Sequence, residues 1–131
     1  MGSVKYLLDT CVFLWLSQQP ARLSASASTI LNSPDAEFYV SDISVWEVTL
    51  KHSAGKLPLP DEPKRWIPGK FQHHRLLRLA LTQEAIFRSG DLPKVHADPF
   101  DRLLAAQALE EQMTLISPDL PLSLLGAARI W

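Results

Sequence analysis

At 131 residues, 47% hydrophobic and 21% charged with a formal net charge of −1, the chain is sized for one globular domain, 1–131, that buries about two-thirds of its unfolded surface without staples. The single cysteine, Cys11, excludes an internal disulfide and fits a reducing, cytoplasmic setting. No apolar stretch approaches the ~18 residues that span a bilayer, and no basic-then-apolar signal peptide opens the chain, so no membrane partner is expected.

In chain order, "VKYLL" (4–8) is a short apolar run that predicts a buried strand ending at Asp9-Thr10, and "CVFLWLS" follows as a short helix. "LSASASTILNSP" predicts a second helix, capped by Ser24 and stopped before Pro34. "EFYVS" (37–41) is the second strand, and "ISVWEVTLKHSAG" a helix with Gly55 just past its C-terminus. "KLPLPDEP" is a turn-rich link, and "KRWIPGKFQHHR" a helix interrupted at Pro68-Gly69. "LLRLAL" (76–81) reads as a strand, after which Thr82 caps a helix through Ser89. In "HADPFDRLLAAQA" (96–108) Asp98 suits an N-cap, Pro99 the first helical position and Asp101 the N3 position. The apolar arc from Phe100 to Leu109 is wide, so this helix should be buried on more than one side. "TLIS" (114–117) is a further strand and "ARIW" a short edge strand. Strands alternating with helices predict an α/β domain, layered α/β/α around a mainly parallel central sheet.

Charge is segregated along this chain. Residues 51–96 hold nine Lys/Arg against four Asp/Glu and all four histidines, whereas the flanks hold four against ten. Solvated helix faces account for each charge singly, and the segregation as a whole suits nucleic acid or an acidic partner. The cationic candidates are Lys51, Lys56, Lys64, Arg65, Lys70 and Arg75.

Ligands of open α/β sheets bind outside the carboxyl ends of the strands, and there the acids collect. Asp9 follows the first strand, Glu47 lies in the first turns of the helix after the second, Asp98 and Asp101 open the helix leading into the fourth, and Asp119 follows that strand in "ISPD". Each has a local explanation: Asp9 and Asp98 can cap helices, and Ser44-Val45-Trp46-Glu47 has the form of a capping box. Together, four or five acids at one rim repel one another unless a cation compensates them. Carboxylate oxygens suit a hard divalent ion, Mg²⁺ or Mn²⁺. Asp101 then holds a metal, while Asp98 caps, coordinates, or does both.

"LLDTCVFLWL", "SVWEVTLKHSAGKLPLP", "DPFDRLLAAQALEE" and "LISPD" resemble the four blocks of the PIN-domain ribonucleases, in particular the VapC-type toxins of bacterial toxin–antitoxin pairs. The likeness runs from about Tyr6 to Trp131 in the family's order and spacing. It implies a PIN-like fold and metal-dependent endonucleolytic cleavage of RNA. Asp9, Glu47 and Asp101 match the family's first, second and third acids, Asp119 with Ser117 the fourth and more variable position, Asp98 an acid frequent in the subgroup, and Thr10 the hydroxyl residue beside the first acid. Cys11 departs from the histidine often found at its position and reads as a small core residue. Asp9 and Asp101 are then the first-choice ligands, with Glu47 ligating directly or through water and Asp119 holding a second or outer ion. Thr10 and Ser117 orient water or phosphate, or serve only as turn and cap residues. Lys51, one helical turn after Glu47, contacts RNA phosphate or forms an ordinary i,i+4 ion pair. A cognate antitoxin bound in an apolar groove and a homodimer are the expected protein partners, with Trp15, Trp46, Trp66 and Trp131 among the surplus of apolar side chains.

Two other classes compete. A haloacid-dehalogenase-like Mg²⁺-dependent phosphatase needs a second Asp two residues after the first, where Cys11 stands. A non-catalytic receiver-type signalling module needs a phosphorylatable Asp after the third strand, and "LRLALTQ" supplies none.

Overall fold

Residues 3–131 are described by a computed structural model. Five strands, β1 (Val4–Leu8), β2 (Ala36–Ser41), β3 (Leu77–Leu79), β4 (Thr114–Ile116) and β5 (Arg129–Ile130), form one sheet of order β3-β2-β1-β4-β5. Every pairing in it is parallel. Around it lie α1 (Thr10–Gln18), α2 (Ala25–Leu31), α3 (Asp42–Ser53), α4 (Pro63–His74), α5 (Gln83–Asp91), α6 (Pro99–Glu111) and α7 (Leu120–Leu124).

The two-residue period of the strands divides the core into two layers. Leu7 and Leu115 face Ala85, Leu104, Ala105, Ala108 and Leu122, which come from α5, α6 and α7. Their chain neighbours Leu8 and Ile116 face the other way with Phe38 and Val40, and meet Val12, Phe13, Ala27, Val48, Trp66 and Ile67 from α1 to α4. Both faces are therefore covered, as a parallel sheet requires. α6 is buried along Leu104–Ala108, where small side chains bring it close to the sheet. Among the described residues no helix is long and apolar enough to cross a membrane.

Three local expectations need correction. α4 is not interrupted at Pro68 but runs through it. An internal proline costs about 3 kcal/mol, and packing on both sides offsets it: Trp66 and Phe71 each stand edge-on to Phe13, at 5.9 and 5.8 Å between ring centroids. The Ser44–Glu47 capping box does not form. α3 starts directly from the end of β2, so its cap is Ser41, whose hydroxyl oxygen accepts from the Ile43 N–H at 3.0 Å. Ser44 is buried within the helix, and Glu47 faces Lys51. Finally, α5 extends two residues beyond Ser89 to Asp91.

Chain order places the site. From β1 the chain adds β2 and β3 on one side, then returns across β1 to lay β4 and β5 on the other. The loops leaving β1 and β4 thus diverge, and the carboxyl ends of two such strands are where ligands of open α/β sheets bind.

Candidate metal centre

Asp9 stands at that point, directly after β1. Its N–H completes the sheet by donating to the Ile116 carbonyl at 3.1 Å, and its extended backbone (φ −63°, ψ 154°) makes it the N-cap of α1. One carboxylate oxygen, Oδ1, accepts from the Thr10 N–H at 2.7 Å. The other, Oδ2, accepts from the Ser117 hydroxyl at 2.6 Å and faces the Cys11 thiol at 3.8 Å. Ser117 Oγ in turn accepts from the Asp119 N–H at 3.0 Å, so one hydroxyl couples the loop after β4 to the acid after β1. Ligand atoms of Asp9, Cys11 and Asp119 lie within 4.8 Å of one another.

Asp101 joins from the first turn of α6. Asp98 does the capping there: its Oδ1 accepts from the N–H groups of Phe100 and Asp101 at 2.8 and 3.1 Å. The Asp101 side chain is therefore released from capping, and its Oδ2 meets His96 Nε2 at 2.7 Å. Glu47 is tied to Lys51 at 2.7 Å, the ordinary i,i+4 ion pair.

Burial and neighbouring charges both act on the proton affinities of these groups. Burial pushes Asp9 up to about 6, with the charges of Asp101 and Asp119 adding to the rise and the Ser117 and Thr10 donors opposing it. Asp101 is raised by burial and by the Asp98 and Asp119 charges, against the bond from His96. Lys51 is held above the usual lysine range first by its bond to Glu47, then by the charges of Glu47, Asp98 and Asp101. Trp46, beside Glu47, packs on Phe100 at 5.2 Å between ring centroids and so sets α3 against the start of α6. Burial and the Asp9 and Asp119 charges likewise push the Cys11 thiol up.

Among the described residues no cationic side chain forms an ion pair with Asp9 or Asp119. Arg129 donates to the Ser117 carbonyl and the Ser123 hydroxyl. Carboxylate oxygens gathered around a buried, uncompensated charge are the donor set of a hard divalent cation. The site fits such an ion.

Asp9 and Asp119 are thus brought together with Cys11, whereas Asp101 lies outside that close group and adds its charge from the start of α6, with Asp98 capping the same helix and Glu47 turned to Lys51. Ser117 is a structural hinge of the cluster. Thr10 is not a free hydroxyl: it donates to Ser44 Oγ at 2.8 Å, tying α1 to α3. Two members went unrecognised in the sequence. Cys11, read as a core residue, does pack against the core yet also borders Asp9 and Asp119. His96 carries no signal of its own beyond lying five residues before Asp101.

The sequence model of the PIN domain matches residues 6–124. The chain is 30% identical over 115 residues to ribonuclease VapC22 of Mycobacterium tuberculosis, covering 86% of this chain and 85% of that protein. Among solved structures it superposes on VapBC2 from Rickettsia felis, bound to a DNA fragment from its promoter, with a TM-score of 0.74 at 15% identity, covering 97% of this chain and 98% of that one. DNA-bound VapBC from Salmonella typhimurium gives 0.69 at 17% identity, with 97% of each chain covered. These two likenesses concern the fold.

Proposed function

The chain belongs to the PIN-domain family, and on that premise we propose that it is a metal-dependent endoribonuclease, the toxin of a VapBC-like toxin–antitoxin pair, with Mg²⁺ or Mn²⁺ as its resident ion. One observation carries the proposal: a buried Asp9 carboxylate beside Asp119, raised in pKa also by the Asp101 charge, with no ion-paired cation among the described residues to balance it. Similarity to a ribonuclease across most of both chains supports RNA as the substrate.

Asp9, Asp101 and Asp119 would hold the ion, and Asp98, whose Oδ2 is left over from capping, would assist. The chemistry such an ion would supply is polarisation of the scissile phosphate, a lowered pKa for water and stabilisation of the leaving oxygen. Ser117 fixes the Asp9 carboxylate and, through the Asp119 N–H, the loop carrying the fourth acid. Glu47 stands ready on the rim with its charge balanced by Lys51, an ammonium that RNA phosphate can share.

Of the cationic candidates for RNA, Lys64 and Arg65 are engaged by Asp61 and Glu62. Lys56, Lys70 and Arg75 form no ion pair among the described residues and are the better phosphate contacts. An antitoxin segment fits the adjoining apolar grooves along α3 and α4, of about 640 and 770 Å³, which share Val45, Ile67 and Pro68. Exposed Trp46, Leu50 and Phe87 suit self-association.

Labelled RNA incubated with the purified protein tests the proposal. Internal cleavage with Mg²⁺ or Mn²⁺ and none with EDTA is expected. Intact RNA under every metal condition, or release of phosphate from monoesters alone, would refute it.

A further inference from the structure

Asp101 has a side-chain partner of its own, His96. His96 lies in the segment between α5 and α6, which has no regular structure to hold it. One side chain holds it instead. The Arg102 guanidinium donates through Nη1 to the carbonyls of Pro93 and His96, at 2.8 and 2.9 Å, and through Nη2 to those of Ser89 and Leu92, at 2.7 and 2.9 Å. A cation next in sequence to Asp101, at the edge of an acidic cluster, thus takes four neutral carbonyls and forms no ion pair among the described residues. The planar guanidinium presents its donors in a fixed fork, so it imposes a geometry on the loop that a flexible ammonium would not. Buried Leu92 anchors the same segment in the core.

The clamped loop delivers the His96 ring to Asp101 Oδ2 at 2.7 Å. An ionised carboxylate only accepts, so Nε2 carries the hydrogen. Asp101 Oδ1 accepts no hydrogen bond among the described residues. The arrangement is that of a hydrogen-bonded carboxylate whose second oxygen is kept for another partner.

We propose that His96, held by the Arg102-clamped loop, is a positioning residue that orients Asp101 so that its free oxygen serves the ion. The proposal rests on the metal-site reading above. Its effect is to fix one carboxylate rotamer before ion or RNA arrives, which lowers the cost of ordering the site.

The test compares His96→Ala, His96→Gln and the parent in Mn²⁺ titration calorimetry, with kcat and KM for RNA alongside. Gln retains an amide donor near the place of Nε2. His96→Ala should weaken Mn²⁺ binding about 10- to 100-fold, the range found for outer partners of metal ligands. It should lower kcat more than it changes KM, and His96→Gln should recover most of both losses. A His96→Ala protein that binds Mn²⁺ as tightly as the parent, or more tightly, overturns the proposal while leaving the metal site standing. A parent that takes up no Mn²⁺ overturns both. Should His96→Ala fail to fold, the ring ¹⁵N shifts of the parent decide: a proton on Nε2 supports the proposal, and an unprotonated Nε2 overturns it.

Discussion

Replacing Asp9 by Asn should stabilise the metal-free protein while removing its activity. Asp9 is 4% exposed and its folded-state pKa is raised to about 6 from 3.8. At about 1.4 kcal/mol per pH unit, the ionised carboxylate costs the native state about 3 kcal/mol. Asn keeps an oxygen for the Thr10 N–H but presents an NH₂ group where the Ser117 hydroxyl now donates, a loss of about 1 kcal/mol. The net gain is about 2 kcal/mol, or about 5–10 °C in melting temperature for a chain of this size. The sign with pH follows from the raised pKa. The native state binds a proton more tightly than the unfolded state, so the parent is penalised fully above the folded pKa, and the penalty fades as pH falls from about 6 towards 4. Melts in EDTA at about pH 8 and about pH 5 should therefore show a large advantage for Asp9→Asn that shrinks on acidification. A variant that melts below the parent at about pH 8, or by a margin indifferent to pH, would refute the reasoning. Were Asp9 only a helix cap, Asn would replace it with little change in stability or activity.

Ser117→Ala removes the donor to Asp9 and the acceptor for the Asp119 N–H; it should cost about 1–3 kcal/mol, more at about pH 8 than at about pH 5, because the lost bond is to a charged oxygen. Paired melts at the two pH values measure it, and an equal loss at both would contradict the coupling. Gln107→Leu leaves the Ser41 hydroxyl and the Ala80 carbonyl without their buried partner, and urea unfolding should register about 2–4 kcal/mol with Mn²⁺ uptake unchanged. In RNA binding by an inactive Asp101→Asn protein, Lys56→Ala with Lys70→Ala should flatten the log–log salt dependence by about 1.4, two phosphate contacts at about 0.7 each for single strands. An unchanged slope would make the basic segment only a solvated surface.

Much of the site was legible because its determinants are local. An acid closely following an apolar run marks the carboxyl end of a strand, which is how Asp9, directly after β1, and Asp119, three residues after β4, stand out, and Asp98-Pro99 announces a helix start that forms as expected. Glu47 and Lys51 pair by helical spacing alone. What escaped was decided by distant contacts. Ser41 and Ser44 are both plausible caps, and Ser41 does the capping where β2 ends, its hydroxyl also bonded to Gln107 Oε1. Pro68 reads as a helix breaker until Phe13 is placed against Trp66 and Phe71. The Thr10 hydroxyl looks available to a ligand until Ser44 is folded against it. His96 sits in a segment without periodicity, fixed by four carbonyl bonds from Arg102 that no spacing rule anticipates.

Anomalous diffraction from a crystal soaked in Mn²⁺ tests the central claim most directly, because it locates the ion without relying on turnover. A peak at the carboxyl ends of β1 and β4, about 2.1 Å from carboxylate oxygens of Asp9 and Asp101 and lost in crystals of Asp101→Asn, is the expected result. A crystal with no peak there, or with Mn²⁺ held by residues elsewhere while Asp9 and Asp101 stay bare, would contradict it.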